Sequence, residues 1–198
     1  MKNVLLNPDR KDLGKMTTSD NERLLKMAAA LAANPRGTIK EIAESAGISK
    51  ATLHRLCGTR KALEHLLFQK SSDAVEDIIC VVDKKHTDFE KGLEELIDVH
   101  LKYHEYIQLF FAYPEMAKEY NWSKYLESID QFYLQGQKEG FFKIEFSDAF
   151  FSELFVSTVC GLIDAVDRGR VAPRGLTQSI KTFLLHGCGN PAAKYREA

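Results

Sequence analysis

Apolar residues recur every three to four positions along most of this chain, the spacing of one face of an α-helix. The pattern starts late: residues 1–18 show no periodicity and carry Pro8, Gly14 and scattered charges, so they read as a loose arm. Ser19 with Glu22 three positions on fits a capping box, and Leu24, Ala28 and Leu31 then share a face until Asn34-Pro35-Arg36-Gly37 stops the helix. The signature repeats with Thr38 and Glu41, followed by Ile39, Ile42, Ala43 and Ala46. Gly47 supplies the left-handed backbone of a sharp turn, and Ser49 caps a third short helix running to about Cys57. A short helix, a glycine turn and a second short helix make a helix-turn-helix.

Beyond Gly58-Thr59, a stripe of Leu63, Leu66, Leu67, Ala74, Val75, Ile78, Ile79 and Val82 predicts one long helix. Thr87 and Glu90 open another, with Phe89, Leu93, Leu96, Ile97, Leu101, Ile107 and Phe111 on its apolar side until Pro114 interrupts it. Further helices are expected over 123–137, 147–168 and 175–186. Residues 141–146 (FFKIEF) alternate briefly like a strand, but they lie between two helical patterns and are read as a turn. The chain is therefore expected to be all-α.

Composition narrows the class. With 44% hydrophobic residues and only 12 Gly and 5 Pro in 198, disorder and linker-like repeats are excluded as the main character. Val4-Leu5-Leu6 is too short for a signal peptide, and the most apolar window, 149–166, carries Glu153 and Asp164, which are costly in a bilayer. A cytoplasmic protein with no membrane partner is expected. The four cysteines, Cys57, Cys80, Cys160 and Cys188, form no C-x-x-C pair and read as buried thiols in a reducing compartment. A net charge of −1 hides an asymmetry: of 27 basic and 28 acidic residues, 13 and 7 fall in residues 1–70, leaving 14 and 21 for the rest. A basic third on an acidic body points to a polyanion-binding module.

The stretch 38–63, TIKEIAESAGISKATLHRLCGTRKAL, resembles the DNA-binding segment of the TetR family of bacterial transcriptional regulators. The likeness rests on the Ala46-Gly47 turn, on Ser49, Lys50, Thr52 and Leu53, and on Arg60, Lys61 and Leu63, and it covers about residues 19–70. Two positions depart from the family pattern: His54 stands where a phosphate-reaching Tyr is common, and Cys57 where an aromatic is usual. The resemblance implies a non-enzymatic homodimer with a helix-turn-helix DNA-binding domain over 19–66 and a helical ligand-binding and dimerisation domain over 67–198. Its simplest form is a repressor released from a double-stranded operator by a small, largely apolar effector. From the residues themselves, Ser49, Lys50, Ala51, Thr52, His54 and Arg55 are placed to touch DNA from a helix in the major groove. Lys50, Arg55 and Arg60 are expected mainly at phosphates, as are Thr38 and Lys61, while Ala51 and Thr52 sit closer to base edges.

Rings crowd residues 100–155, a density that suits an apolar pocket with a few polar tips. The expected effector contacts are Tyr103, Phe110, Trp122, Tyr125 and Phe151, with His100 or His104 as polar anchor. No cofactor or metal is expected, because two imidazoles one turn apart lack further ligands. The helix over 147–168 is apolar nearly all round and, with the one after it, is expected to pair across a two-fold axis. Two rival readings remain: an orphan DNA-binding regulator without a small ligand, and an all-α enzyme centred on His100 and His104.

Overall fold

Side chains fix the helix starts that matter most for the N-terminal third. The computed structural model describes residues 17–191 apart from positions 85 and 121, so most of the expected arm lies outside the described residues. The first helix, α1 (Thr18–Ala33), begins at Thr17, whose hydroxyl accepts from the Asp20 amide at 3.2 Å while the Asp20 carboxylate accepts from the Thr17 amide at 3.4 Å. The expected box at Ser19 and Glu22 is thus corrected to one two residues upstream. The second, α2 (Ile39–Ser45), has the expected Thr38–Glu41 box. Gly47 turns the chain at φ 66°, and Ser49 caps α3 (Lys50–Leu56).

The long helix α4 (Arg60–Val82) starts from a Thr59 cap, and α5 (Phe89–Ala112) starts from Asp88 rather than Thr87. Pro114 ends α5 but also occupies the first turn of α6 (Pro114–Glu119), a helix the periodicity had not indicated. There follow α7 (Trp122–Lys138), α8 (Asp148–Asp167) and α9 (Leu176–Cys188). Among the described residues there is no strand, as expected of an all-α chain; residues 141–146 form a turn with one isolated bridge, Phe142 to Gly189. Gly136 permits that turn to fold back, since a Cβ there would come within 2.2 Å of the Phe142 ring.

Two apolar cores share α4. Leu24, Met27, Leu31, Ile42, Ile48, Leu53, Leu63 and Leu67 form the headpiece core, which extends through Phe68 and Ala74 to Tyr106 and Leu109 of α5. The second core joins Val75, Ile78, Leu93, Leu96, Ile97, Phe132, Phe142, Phe155, Ile180 and their neighbours. Because α1 packs directly on α5, the headpiece is seated on the body rather than tethered to it. At the far end, the buried Lys181 ammonium clips α9 to α5 by donating to Glu94 at 2.6 Å and lying 3.4 Å from Glu90.

Candidate nucleic-acid interface

Helix α3 spans only two turns, too short to persist unaided, so its setting comes from its anchors. Leu53 is buried beneath it, and the Ser49 hydroxyl holds its first turn by accepting from the Thr52 amide. Ser49, Lys50, Ala51 and His54 are exposed, with Lys50 and His54 one turn apart, while Thr52 is half-buried and its hydroxyl accepts from Ser49 at 3.1 Å. Lys61 is exposed in the first turn of α4. Thr38 is exposed too, but its amide donates to Glu41 at 2.7 Å and its hydroxyl at 3.0 Å, and these bonds hold the Glu41 carboxyl below its ordinary range.

The two arginines assigned to phosphates are engaged within the chain. Arg55 of α3 forks onto both carboxylate oxygens of Asp20 in α1, at 3.2 Å through Nη1 and more closely through Nη2. Arg60 donates through Nε to Glu64 at 2.8 Å, and through Nη2 to the Pro35 carbonyl at 2.7 Å and the Tyr113 hydroxyl at 3.1 Å. The Tyr113 hydroxyl donates in turn to the Pro35 carbonyl at 3.0 Å. This knot ties the turn after α1, the start of α4 and the corner between α5 and α6. Sequence reasoning missed Asp20 and Tyr113. Beside the knot lies an open groove of about 240 Å³ between α4 and α6, lined by Lys61, Glu64, His65, Phe68, Tyr113, Met116 and Tyr120.

Of the expected effector contacts, five are brought together as a continuous run of rings. Phe110 meets Trp122 at 5.3 Å between centroids, Trp122 meets Tyr125 at 4.7 Å, Tyr125 meets His100 at 5.6 Å, and Phe155 then links His100 to Phe151. Phe110, His100, Tyr125 and Phe151 are all buried. His100 Nδ1 lies 2.7 Å from the Leu96 carbonyl, which can only accept, so Nδ1 carries the proton. Nε2 is left to accept from the Tyr125 hydroxyl, also at 2.7 Å. Burial pushes the imidazole down to about 4, so it is neutral at ordinary pH with both nitrogens occupied. That leaves a catalytic role for His100 without support.

The other two expected contacts stand apart from the rings. Tyr103 sits at a break in α5, with φ −117° and ψ 15°, and its hydroxyl donates to Asp77 of α4 at 2.5 Å. His104 is half-buried, with Nδ1 3.0 Å from the Leu101 carbonyl and 3.2 Å from Glu105. Cys160, half-buried, has its thiol pushed up to about 11 by burial, which suppresses the thiolate.

Comparison with known proteins agrees with this geometry. Residues 22–59 match the model of the IclR helix-turn-helix domain, a span confined to α1–α3 and their turns. The chain is 41% identical over 181 residues to the HTH-type transcriptional regulator NfxB of Pseudomonas aeruginosa, covering 88% of this chain and 97% of that one. Among solved structures, the MbdR regulator from Azoarcus sp. CIB superposes with a TM-score of 0.64 at 20% identity, over 84% of this chain and 97% of its own. The TetR-like regulator LfrR from Mycobacterium smegmatis, solved in complex with proflavine, gives 0.56 at 20% identity, over 84% and 94%. The chain is a DNA-binding transcriptional regulator that belongs with NfxB to one family of HTH-type regulators and is built on the TetR fold.

Proposed function

We propose that the protein is a homodimeric repressor, released from a double-stranded operator by a small, largely apolar effector. The observation that carries the DNA half of this reading is the exposed face of α3 at the tip of a basic headpiece. Ser49, Ala51, Thr52 and His54 then approach base edges, and Lys50 and Lys61 take phosphates. With their guanidiniums committed internally, Arg55 and Arg60 act as braces, and Thr38 acts chiefly as a cap.

Support for the dimer comes from α8 and α9. By length and mean hydropathy (1.6), α8 could cross a membrane, yet one side packs into the core through Phe151, Phe155, Val159 and Ile163. An adjoining strip leaves Leu154, Thr158, Leu162 and Ala165 half-buried beside Gly161, where a Cβ would meet nothing within 4 Å. On α9 the Phe183 ring is 59% exposed. An apolar surface of this kind gains most from a second copy across a two-fold axis.

The effector half rests on the ring run, whose outer end at Trp122 is half-buried beside an exposed Phe111. A ligand entering there must replace ring contacts that the protein already makes to itself. Displacement of α5 would reach the headpiece through Tyr113, Arg60 and Pro35, and only a ligand that binds the two arrangements unequally can drive it. The mutual packing of these rings equally favours an orphan regulator with no ligand. A duplex selected from a random library by the protein serves as operator; apolar compounds are screened by thermal shift, and each hit is tested for operator release. Release that Trp122→Ala and Phe110→Ala abolish supports the effector reading, whereas hits indifferent to both variants favour the orphan one.

A further inference from the structure

We propose that Asp20 is a positioning residue for DNA recognition: by gripping the Arg55 guanidinium it sets the angle of α3 against α1, and Arg55 serves this grip instead of a phosphate. The reading rests on α3 entering the major groove.

The geometry is that of a built joint. Both Asp20 oxygens are in use: Oδ1 accepts from Arg55 and from Arg23 at 3.1 Å, and Oδ2 accepts from Arg55 at 3.2 Å and from the Thr17 amide at 3.4 Å. The side chain is 5% exposed, whereas that of Arg55 is 56% exposed, so the guanidinium leans back from solvent to reach it. A two-pronged guanidinium–carboxylate pair fixes direction as well as distance. The hydrogen bonds from Arg55 hold the Asp20 carboxyl well below the usual carboxylate range, so the charge that makes the grip persists at any working pH.

Position gives the joint its leverage. The Ser49 cap holds the first turn of α3 and Leu53 its middle, but Arg55 lies in the last turn, where rotation would swing the exposed face. Helix α1 is itself seated on α5, so the pair is the last link in a route from the body through α1 to the reading face. A phosphate competing for Arg55 would strip a buried carboxylate of its strongest partner.

The test uses the full-length protein, the duplex it selects from a random library, and a scrambled duplex of equal length. Asp20→Asn and Arg55→Gln should each weaken the selected duplex roughly tenfold while leaving the scrambled one and the salt slope unchanged. Combined, they should cost no more than either alone, as expected of partners in one interaction. If Arg55 instead serves a phosphate, Arg55→Gln weakens both duplexes and flattens the log–log salt slope by about 0.9, and the proposal fails. Should Asp20→Asn unfold, Arg55→Lys decides, since it keeps the charge and loses the fork. Selective loss on the selected duplex supports the joint, and unchanged binding overturns it. The major-groove reading fails separately, if guanine N7 methylation nowhere in the selected duplex interferes with binding.

Discussion

Lowering the pH from about 7.5 to 5 should destabilise this protein chiefly through His100, before the low-held carboxyls of Asp20 and Glu41 take up protons. Its imidazole titrates near 4 in the fold against 6.5 when free, because burial disfavours the cation. Above about pH 7.5 the ring is neutral in both states and folding loses nothing. As the pH falls, the unfolded chain takes up the proton first, so stability drops by about 2 kcal/mol at pH 5 and approaches a limit of about 3 kcal/mol below pH 4. Urea unfolding followed by far-UV circular dichroism measures this, at one fixed protein concentration because association would shift the apparent stability. The five other histidines and the carboxylates cancel when wild type is compared with His100→Gln. At neutral pH the variant should cost about 1–3 kcal/mol, since a Gln amide that accepts from the Tyr125 hydroxyl cannot also donate to the Leu96 carbonyl as the ring does. Between about pH 7.5 and pH 5 the gap between the two proteins should shrink by about 2 kcal/mol. An unchanged gap would mean that water or solute reaches the ring, and the closed aromatic core would be wrong.

Other outcomes follow from the same structure. Leu162→Glu should give monomers in analytical ultracentrifugation while keeping wild-type helicity, and a variant that still sediments as a dimer removes α8 from the interface. Lys50→Ala should flatten the salt dependence of DNA binding by about 0.9 in log–log slope, read from titrations at several salt concentrations; a preserved slope denies it a phosphate. Gly136→Ala should cost about 1–3 kcal/mol in denaturant unfolding, because the added methyl meets the Phe142 ring; a neutral result would show that the 141–146 turn yields freely.

Local rules carried the headpiece far. The Thr38–Glu41 box, the Gly47 turn and the Ser49 cap each depend on residues within three positions of one another, and all were legible. The start of α1 was not, because two overlapping pairs, Thr17 with Asp20 and Ser19 with Glu22, satisfy the same local pattern. Asp20 also answers Arg55, 35 positions away, which no local spacing displays. Pro114 misled for a related reason: a proline that stops one helix also suits the first turn of the next. The exposed face of α3 was legible from period and capping, whereas the engagement of Arg60 depends on Tyr113, 53 positions on. The rings of residues 100–155 were visible as composition, but whether they face a ligand or each other depends on how α5, α7 and α8 meet.

In the proposed function, α3 reads DNA from the major groove. Methylation interference on the selected duplex tests it most directly, because guanine N7 lies in that groove and a methyl there obstructs an inserted helix. Strong interference is expected in two clusters separated by about one helical turn or a multiple of it, one for each α3 of a dimer. Binding that tolerates N7 methylation throughout, while adenine N3 methylation in the minor groove abolishes it, would place the protein in the minor groove instead.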